Sequence, residues 1–172
     1  GLMDLLRQLF SKTEEAKSRG LKNSAFSFHH ADGRCPDCNG LGQQKTALDF
    51  MGDVYIPCET CKGTRYRPEI LECLWNNKSV VEVLMMTVDE ACDFFVSAPS
   101  IAEILRALQD TGLGHLVLGQ PGNSLSGGEA QRLRLATGLM SKEKGPCLYL
   151  LDEPSTGLHY FDLLKLMHVF NR

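Results

Sequence analysis

Apolar residues at the start of the chain recur every three to four positions, a spacing that predicts an amphipathic helix over residues 2–18. The chain is then expected to turn at Gly20, because glycine commonly follows the end of a helix. Residues 32–66 are instead rich in Gly, Asp, Asn and Cys. Within them a Gly-Asp turn beside the strand-forming residues 54–56 predicts a small β-hairpin. The apolar face of the first helix would consist of Leu2, Leu5, Leu6 and Leu9.

Three Ser/Thr-x-x-Glu sequences predict the starts of further helices. In such a capping box the hydroxyl and the carboxylate each accept a backbone amide that lacks a partner at the helix start. The helix that follows the second box is expected to stop at Gly112. The first residues of the three boxes are Thr87, Ser100 and Ser126.

The helix after the third box is predicted to be amphipathic, and an apolar run at 147–151 has the pattern of a buried strand. Gly145 and Pro146 separate the two elements. A last helix is expected from about Tyr160 to the end of the chain. The core-facing side of the amphipathic helix would carry Ala130, Leu133, Ala136 and Met140, with Gln131 and Arg134 on the opposite side.

Composition excludes several classes of protein. The 172 residues are 43% hydrophobic and 23% charged, which suits one or two small domains with a real core and excludes a disordered or fibrous chain. The apolar runs fall far short of the roughly 20 residues needed to span a bilayer. A net charge of −3 argues against a globally basic nucleic-acid coat and leaves room for a local basic patch. Both ends read as the middle of a helix, so a piece of a longer protein is expected.

Two Cys-x-x-Cys pairs, Cys35/Cys38 and Cys58/Cys61, are separated by 19 residues, the spacing at which two knuckles share one tetrahedral zinc. Four thiolates would close the coordination shell, so the zinc would be structural. Gly40 and Gly63 follow the pairs at equivalent positions and would let each knuckle turn tightly and aim amides at the sulfurs. Two redox-active pairs or disulfides are the competing interpretation.

The other cysteines and two adjacent histidines lie outside this ligand set. A complete set of four cysteines makes His29 and His30 superfluous as ligands, and a solvated or DNA-facing pair is expected there. The apolar surroundings in the sequence favour small buried hydrophobic residues at Cys73, Cys92 and Cys147.

Cations flank the cysteine-rich segment and could form a patch that binds a phosphate backbone. A solvated surface is the alternative, because acidic residues are interspersed among them. The six cations are Arg19, Lys22, Arg34, Lys62, Arg65 and Arg67.

Two further features suggest nucleotide chemistry. Gly127 and Gly128 are poor helix formers placed at a helix start, where their small size would let an anion approach the exposed amides and the positive end of the helix dipole. A flexible loop with a helix cap is the alternative there. Asp152 and Glu153 end an apolar run, where one carboxylate can hold Mg²⁺ and the other can polarise an attacking water.

These motifs together resemble the ATP-binding cassette (ABC) superfamily. The stretch "LSGGEAQRLRLA" resembles its signature sequence, and "LYLLDEPSTGLH" resembles its Walker B strand and D-loop. With "FSFHHADGRCPDCNGLG" and "DVYIPCETCKGTRY" in the same order, the chain resembles the second, C-terminal cassette of the UvrA family, the damage-recognising subunits of bacterial excinucleases.

The resemblance implies a role for each site residue. Ser126, Gly127 and Gly128 would touch the γ-phosphate of a nucleotide bound by the opposite cassette in a head-to-tail pair. Asp152 would assist Mg²⁺ and Glu153 would be the general base. Ser155 to Leu158 would form the D-loop, which His159 follows. No Gly-x-x-x-x-Gly-Lys-Ser/Thr occurs in the 172 residues, so the chain alone is predicted to be inactive towards ATP.

The resemblance also implies the fold and the partners. It implies an α/β cassette segment, in which a mainly helical signature subdomain with an inserted zinc hairpin precedes part of the nucleotide-binding core. The implied partners are damaged double-stranded DNA, the nuclease-loading protein UvrB, another cassette of the same chain and a second copy of the protein. The setting would be nucleotide excision repair and the SOS response in the bacterial cytoplasm. The expected domain boundaries are 1–31, 32–67, 68–145 and 146–172.

Other classes of function remain open at this point. His29-His30 departs from the family pattern, so a UvrA-like paralogue associated with drug resistance is one alternative. A zinc-dependent protein-binding module resembling the cysteine-rich domain of Hsp40 chaperones is another, although that domain has four Cys-x-x-Cys-x-Gly units where this chain has two. The ATPase of a membrane transporter is the third, although such cassettes lack the zinc insert.

Overall fold

The chain forms two structural units, Gly1–Val83 and Leu84–Arg172, in a computed structural model that describes residues 1–48, 52–140, 150–155 and 160–170. Helices predominate in both units, and the described strands form one two-stranded sheet. The elements of the first unit are α1 (Leu2–Phe10), α2 (Glu14–Ser18), a 3₁₀ turn (Asn23–Phe26), β1 (Gln43–Leu48), β2 (Gly52–Pro57), α3 (Pro68–Leu71) and α4 (Val80–Leu84), whose last residue opens the second unit.

The second unit contains four helices. They are α5 (Val88–Phe94), α6 (Pro99–Asp110), α7 (Gly127–Met140) and α8 (Tyr160–Phe170), with a 3₁₀ turn at Gly122–Ser124. The central element is α6, which packs against α5, α7 and α8. Buried side chains of this unit include Phe95, Leu105, Leu113 and Leu166.

The predicted first helix is two helices in the structure. Thr13 ends the helical run after Phe10, because its hydroxyl accepts the amide of Ala16 at 3.3 Å and so begins α2 as an N-cap. Leu6 and Phe10 are buried, and the Phe10 ring stacks on the Phe26 ring with centroids 5.8 Å apart. The first turn at Gly20 is confirmed, with φ +66°.

The predicted hairpin is confirmed, with a different position for its turn. Strands β1 and β2 are antiparallel, with Lys45 opposite Tyr55. Gly52 and Asp53, predicted as the turn, lie inside β2 and pair with Leu48 and Ala47. The connection at 49–51 lies outside the described residues.

Two of the three predicted capping boxes form. At Thr87 and Ser126 the hydroxyl and the glutamate three residues later both bond as predicted. The prediction at Ser100 is wrong, because Pro99 occupies the first position of α6 and Ala98 is its N-cap. Proline at the first helical position needs no amide partner, so the helix starts one residue before the hydroxyl that was expected to cap it. The stop at Gly112 is confirmed, with φ +75°.

The buried side of α7 differs from the predicted one. Ala136 is buried as expected, but its buried neighbours on α7 are Leu135 and Arg132, the latter only 2% exposed. Ala130, Leu133 and Met140 are half-buried, as is Gln131, while Arg134 is exposed as predicted. Sequence periodicity missed this side because it counts arginine as polar, although its aliphatic stem can be buried.

The strand predicted at 147–151 lies largely outside the described residues. Its last two positions are described and are not in a strand, and Leu150 is 87% exposed. A buried strand needs hydrogen-bonding neighbours in its sheet, and the strands within the described ranges, β1 and β2, pair with each other. In the described part of the chain, no helix combines the length and the apolar character that a membrane crossing requires.

Candidate metal centre and signature-helix site

The four cysteines of the two Cys-x-x-Cys pairs converge at one buried point. All four Sγ atoms lie within 4.8 Å of one another, with 4.0 Å between Cys35 and Cys58 and 3.6 Å between Cys38 and Cys61. Four sulfurs around a tetrahedral zinc, at about 2.3 Å each, would be roughly 3.8 Å apart. The donor set therefore fits a zinc-sized, thiolate-binding ion. Among the described residues, this four-cysteine cluster is the only group of His, Cys, Asp or Glu side chains placed to hold a metal.

Each knuckle places residues in the left-handed backbone region at the same positions after its second cysteine. Asn39 and Gly40 have φ of +51° and +82°, and Lys62 and Gly63 have +49° and +87°. This conformation turns the chain back on the sulfur, and the amide of Gly42 donates to Cys38 Sγ at 3.2 Å. The predicted role of the two glycines in tight turns is confirmed, whereas the left-handed Asn39 and Lys62 were not foreseen.

The two knuckles also hold each other through the backbone. The amide of Cys35 donates to the carbonyl of Arg65 at 2.8 Å, and the amide of Cys58 donates to the carbonyl of Gly42 at 2.9 Å. Arg65 and Gly42 occupy the same position in their knuckles, and both are left-handed, with φ of +72° and +75°. The reciprocal bonds give the cluster an approximate two-fold arrangement, which orients the four sulfurs before any metal binds.

The electrostatics of the cluster favour a bound cation. Burial alone would raise the pKa of the Cys38 thiol, but amides of Gly42 and Gly40 donate to its sulfur and lower the pKa to about 7. Burial raises the pKa of Cys61 to about 11. A divalent ion bound among the four sulfurs would compensate the charge of the thiolates.

Gly40 and Gly63 offer a matched test of the knuckle geometry. A Cβ at Gly40 would lie 1.9 Å from the carbonyl oxygen of Phe28, whereas a Cβ at Gly63 would meet nothing within 4 Å. We expect Gly63→Ala to lower the free energy of unfolding by about 1 kcal/mol, the cost of a left-handed alanine. Gly40→Ala should lower it by about 3 kcal/mol or more, because the backbone must also move. Urea unfolding of the metal-loaded chain measures both, and equal losses would contradict the described packing.

The six predicted DNA-binding cations have different surroundings. Arg19 is ion-paired with Glu72, and Arg67 donates to the carbonyls of Arg34 and Ala31 at 3.4 Å. The Arg65 guanidinium lies 5.1 Å from the centre of the Phe28 ring. Lys22 and Lys62 are exposed and Arg34 is half-buried. At least three of the six thus have contacts within the first unit, which the sequence could not show.

The first glycine of the signature sequence, Gly127, is not required by the local fold. Ser126 donates its amide to Glu129 Oε2 at 2.8 Å and accepts the amide of Glu129 on Oγ at 3.3 Å, and α7 begins at Gly127. Gly127 is exposed, and a Cβ there would meet nothing within 4 Å. Its backbone is not in the left-handed region. Neither packing nor backbone conformation within the described residues requires this glycine.

His115 is a site residue that sequence reasoning missed. Its Nε2 lies 3.0 Å from Oε1 of Glu129, the carboxylate of the signature capping box. The hydrogen bond from His115, with those from Ser126, lowers the pKa of Glu129 to about 2. A single histidine 14 positions before its partner has no motif, so only the fold could reveal the contact.

The acidic residues predicted for catalysis lie on the surface of the described segment 150–155. Asp152 and Glu153 are both exposed, and Glu153 has a left-handed backbone with φ +42°. Of the predicted D-loop, Ser155 is exposed and described. The rest of that loop and His159 lie outside the described residues.

Comparisons with known proteins show which proteins this chain is similar to. The protein family described as ABC transporter matches residues 61–156. UvrABC system protein A of Thermus thermophilus is 52% identical over 172 residues, which is 100% of this chain and 18% of that protein. The Aquifex aeolicus protein of the same name is 52% identical over 171 residues, or 99% of this chain and 18% of its own.

A solved structure is also similar to this chain. The crystal structure of UvrA2 from Deinococcus radiodurans has a TM-score of 0.87 and 47% sequence identity, covering 99% of this chain and 21% of that one. The chain thus spans about a fifth of the length of these relatives. It belongs to the ABC transporter family of ATP-binding proteins, and within that family it is similar along its whole length to the UvrA proteins.

Proposed function

We propose that this chain is the signature and zinc-bearing portion of a UvrA-like ATPase that couples nucleotide state to the recognition of damaged DNA. The observation that carries the proposal is that one chain contains both a buried four-cysteine cluster and a helix start at which Ser126 and Gly127 are exposed. Both lie in a chain that matches UvrA proteins from end to end. We call the product that carries this chain within a complete cassette the full-length protein.

The metal we propose is one zinc ion, held by Cys35, Cys38, Cys58 and Cys61. Its chemistry when bound is structural, because four thiolates leave no coordination position for water or substrate. The cluster ties together the two ends of the β1–β2 hairpin, which has little apolar core of its own. Two large apolar side chains of β2, Tyr55 and Ile56, are exposed.

The nucleotide chemistry that we propose is divided between two cassettes. Ser126, Gly127 and Gly128 would contact the γ-phosphate of ATP held by the phosphate-cradling loop of the opposite cassette. The exposed carboxylate of Asp152 would help to hold Mg²⁺, whose preferred ligands are oxygens. Glu153 would accept the proton of the attacking water. Since the 172 residues contain no phosphate-cradling motif, we expect no turnover from this chain alone.

The partners we propose are damaged double-stranded DNA, UvrB, another cassette of the same chain and a second copy of the protein, in the bacterial cytoplasm. Similarity to the proteins named UvrABC system protein A supports excision repair as the setting. Similarity to UvrA2 keeps a paralogue as the second candidate. Stable binding of UvrB by the full-length protein would favour the excision-repair function over a paralogue with another partner.

The two other classes are less well supported. A chaperone-type zinc module would need two metal clusters, whereas the described residues contain only the one four-cysteine cluster. The family description, ABC transporter, would also include a transporter ATPase. The relatives reported above that match the whole chain are UvrA proteins. Zinc analysis that found two ions per chain would revive the chaperone-type module, and membrane-spanning partners on the full-length protein would revive the transporter.

DNA binding by the cation-rich surface is tested best at exposed lysines. We expect Lys22→Glu/Lys62→Glu in the full-length protein to weaken binding of damaged DNA. The slope of log K against log salt should also become shallower by about one unit per lysine, because a protein with fewer phosphate contacts releases fewer counterions when it binds. These lysines are preferable to Arg19 and Arg67, whose reversal would also break contacts within the chain.

The matched control is Lys12→Glu/Lys17→Glu, which makes the same charge change at exposed positions of the first unit. Fluorescence anisotropy at several salt concentrations measures both pairs. The proposed surface is wrong if the Lys22/Lys62 variant keeps the affinity and the salt slope, or if both variants lose them equally.

A further inference from the structure

A loop in the second unit, residues 113–119, is fixed by backbone hydrogen bonds to the segment that leads into α5. The amides of Val88 and Asp89 donate to the carbonyls of Leu116 and Gly114 at 2.8 and 3.0 Å. In return, Leu118 and Gly119 donate to carbonyls of the α4–α5 segment at 2.9 and 2.7 Å. We call this the docked loop, and its bonds leave it little freedom to shift.

Side-chain contacts add to this restraint. Gln109 Nε2 donates to Asp89 Oδ1 at 2.7 Å, at the point where Gly114 approaches the same carboxylate. A Cβ at Gly114 would lie 2.3 Å from Asp89 Oδ1, so any larger residue there would displace this carboxylate from its bond with Gln109. His115, the next residue, is therefore presented from a rigid support.

His115 connects the docked loop to the start of α7. Because Glu129 is ionised, the imidazole Nε2–H donates to Oε1 across 3.0 Å, while the other oxygen accepts the amide of Ser126. One carboxylate thus receives a bond from the docked loop and a bond from the helix cap. The position of Ser126 relative to the loop is fixed through two hydrogen bonds.

The carboxylate also needs a partner for electrostatic reasons. Glu129 lies in the first turn of α7, where the exposed amides and the helix dipole would attract a phosphate. An unpaired carboxylate at that place would compete with the phosphate for the amides and repel it. The imidazole bonded to Oε1 occupies one carboxylate oxygen and holds the side chain towards the docked loop.

We infer that His115 is a positioning residue for the signature helix: from the docked loop it holds Glu129 so that Ser126, Gly127 and Gly128 face an incoming nucleotide phosphate. This role rests on the proposed function, in which these three residues meet ATP held by the opposite cassette. His115 itself touches neither nucleotide nor reacting water. Its contribution is to the arrangement that forms when the two cassettes close.

The test is steady-state ATP hydrolysis by the full-length protein. His115→Ala should lower kcat about three- to tenfold, the range for a charge-assisted bond that is partly open to solvent. KM for ATP should stay within about twofold, because the phosphate-cradling loop of the other cassette holds the nucleotide before closure. His115→Gln, whose amide can donate from nearly the same place as Nε2, should recover most of kcat.

A double-mutant comparison identifies the partner. In a Glu129→Gln background, His115→Ala should cause a clearly smaller loss of kcat than it does alone, because the bond has already been weakened. Val117→Ala is the matched control: it shortens a side chain of the docked loop without touching Glu129, and kcat should not change. His115 is 57% exposed, so circular dichroism should show every variant folded.

Three outcomes would overturn the assignment of His115. They are an unchanged kcat in His115→Ala, an equal loss in His115→Gln, and a loss that persists in full in the Glu129→Gln background. Failure of the proposed function is recognised separately, by Glu153→Gln. If that variant hydrolyses ATP normally, the site itself is wrongly assigned, whatever His115 does.

Discussion

Replacing Glu153 by glutamine should reduce ATP turnover at the site that contains it, in the full-length protein, about 10²- to 10⁴-fold, the usual contribution of a general base. The amide has nearly the same shape as the carboxylate and cannot accept the proton of the attacking water. Glu153 is exposed in the described segment, so the substitution should not disturb folding. Phosphate release at saturating ATP measures the effect.

Nucleotide binding should survive this substitution, because the base acts on water and not on ATP. The matched control is Glu103→Gln, at an exposed position of α6 in the same unit, which should hydrolyse ATP at the normal rate. The isolated 172-residue chain should show no turnover in either form. Measurable hydrolysis by the isolated chain, lost on Glu153→Gln, would contradict our division of the ATPase site between two cassettes.

Removing one thiolate from the four-cysteine cluster should have the second large effect. In Cys58→Ser we expect bound zinc to fall from about one ion per chain to almost none, because structural zinc binding of about 10–16 kcal/mol depends on a complete thiolate set. Metal analysis after dialysis measures the loss. Since the cluster joins both knuckles, limited proteolysis should also begin to cut within residues 32–67.

Cys73→Ser is the matched control for this variant. Cys73 is as deeply buried as Cys58, but its sulfur faces the carbonyl of Glu69 and lies outside the cluster. This variant should keep one zinc ion and resist proteolysis in the cysteine-rich segment. Zinc retained by Cys58→Ser, or lost equally by Cys73→Ser, would show that the cluster is not the metal site.

Several features of this protein could be predicted from the sequence because they depend on residues a few positions apart. The Cys-x-x-Cys spacing brings two sulfurs of each pair together, and a glycine two positions later permits the turn. The capping boxes at Thr87 and Ser126 close within one helical turn, and the signature sequence identifies the family before any fold is known. At Ser100 the same local reasoning failed, because Pro99, one residue earlier, starts the helix instead.

Contacts between distant residues required the tertiary structure. The bond between Cys35 and Arg65 spans 30 positions, and that between His115 and Glu129 spans 14, so no short motif contains either. The buried side of α7, which includes Arg132, depends on what packs against the helix, and the ion pair of Arg19 with Glu72 depends on how α2 and α3 meet.

The sequence by itself therefore determined which cysteines could bind a metal and which residues are proposed to face a phosphate, because residue type and spacing set that chemistry. The tertiary structure alone decided how those residues are held. The candidate site residues are held by backbone and side-chain groups whose positions depend on packing over the whole unit. The clearest case is the signature helix, whose cap is local and whose Glu129 is held by a histidine from another loop.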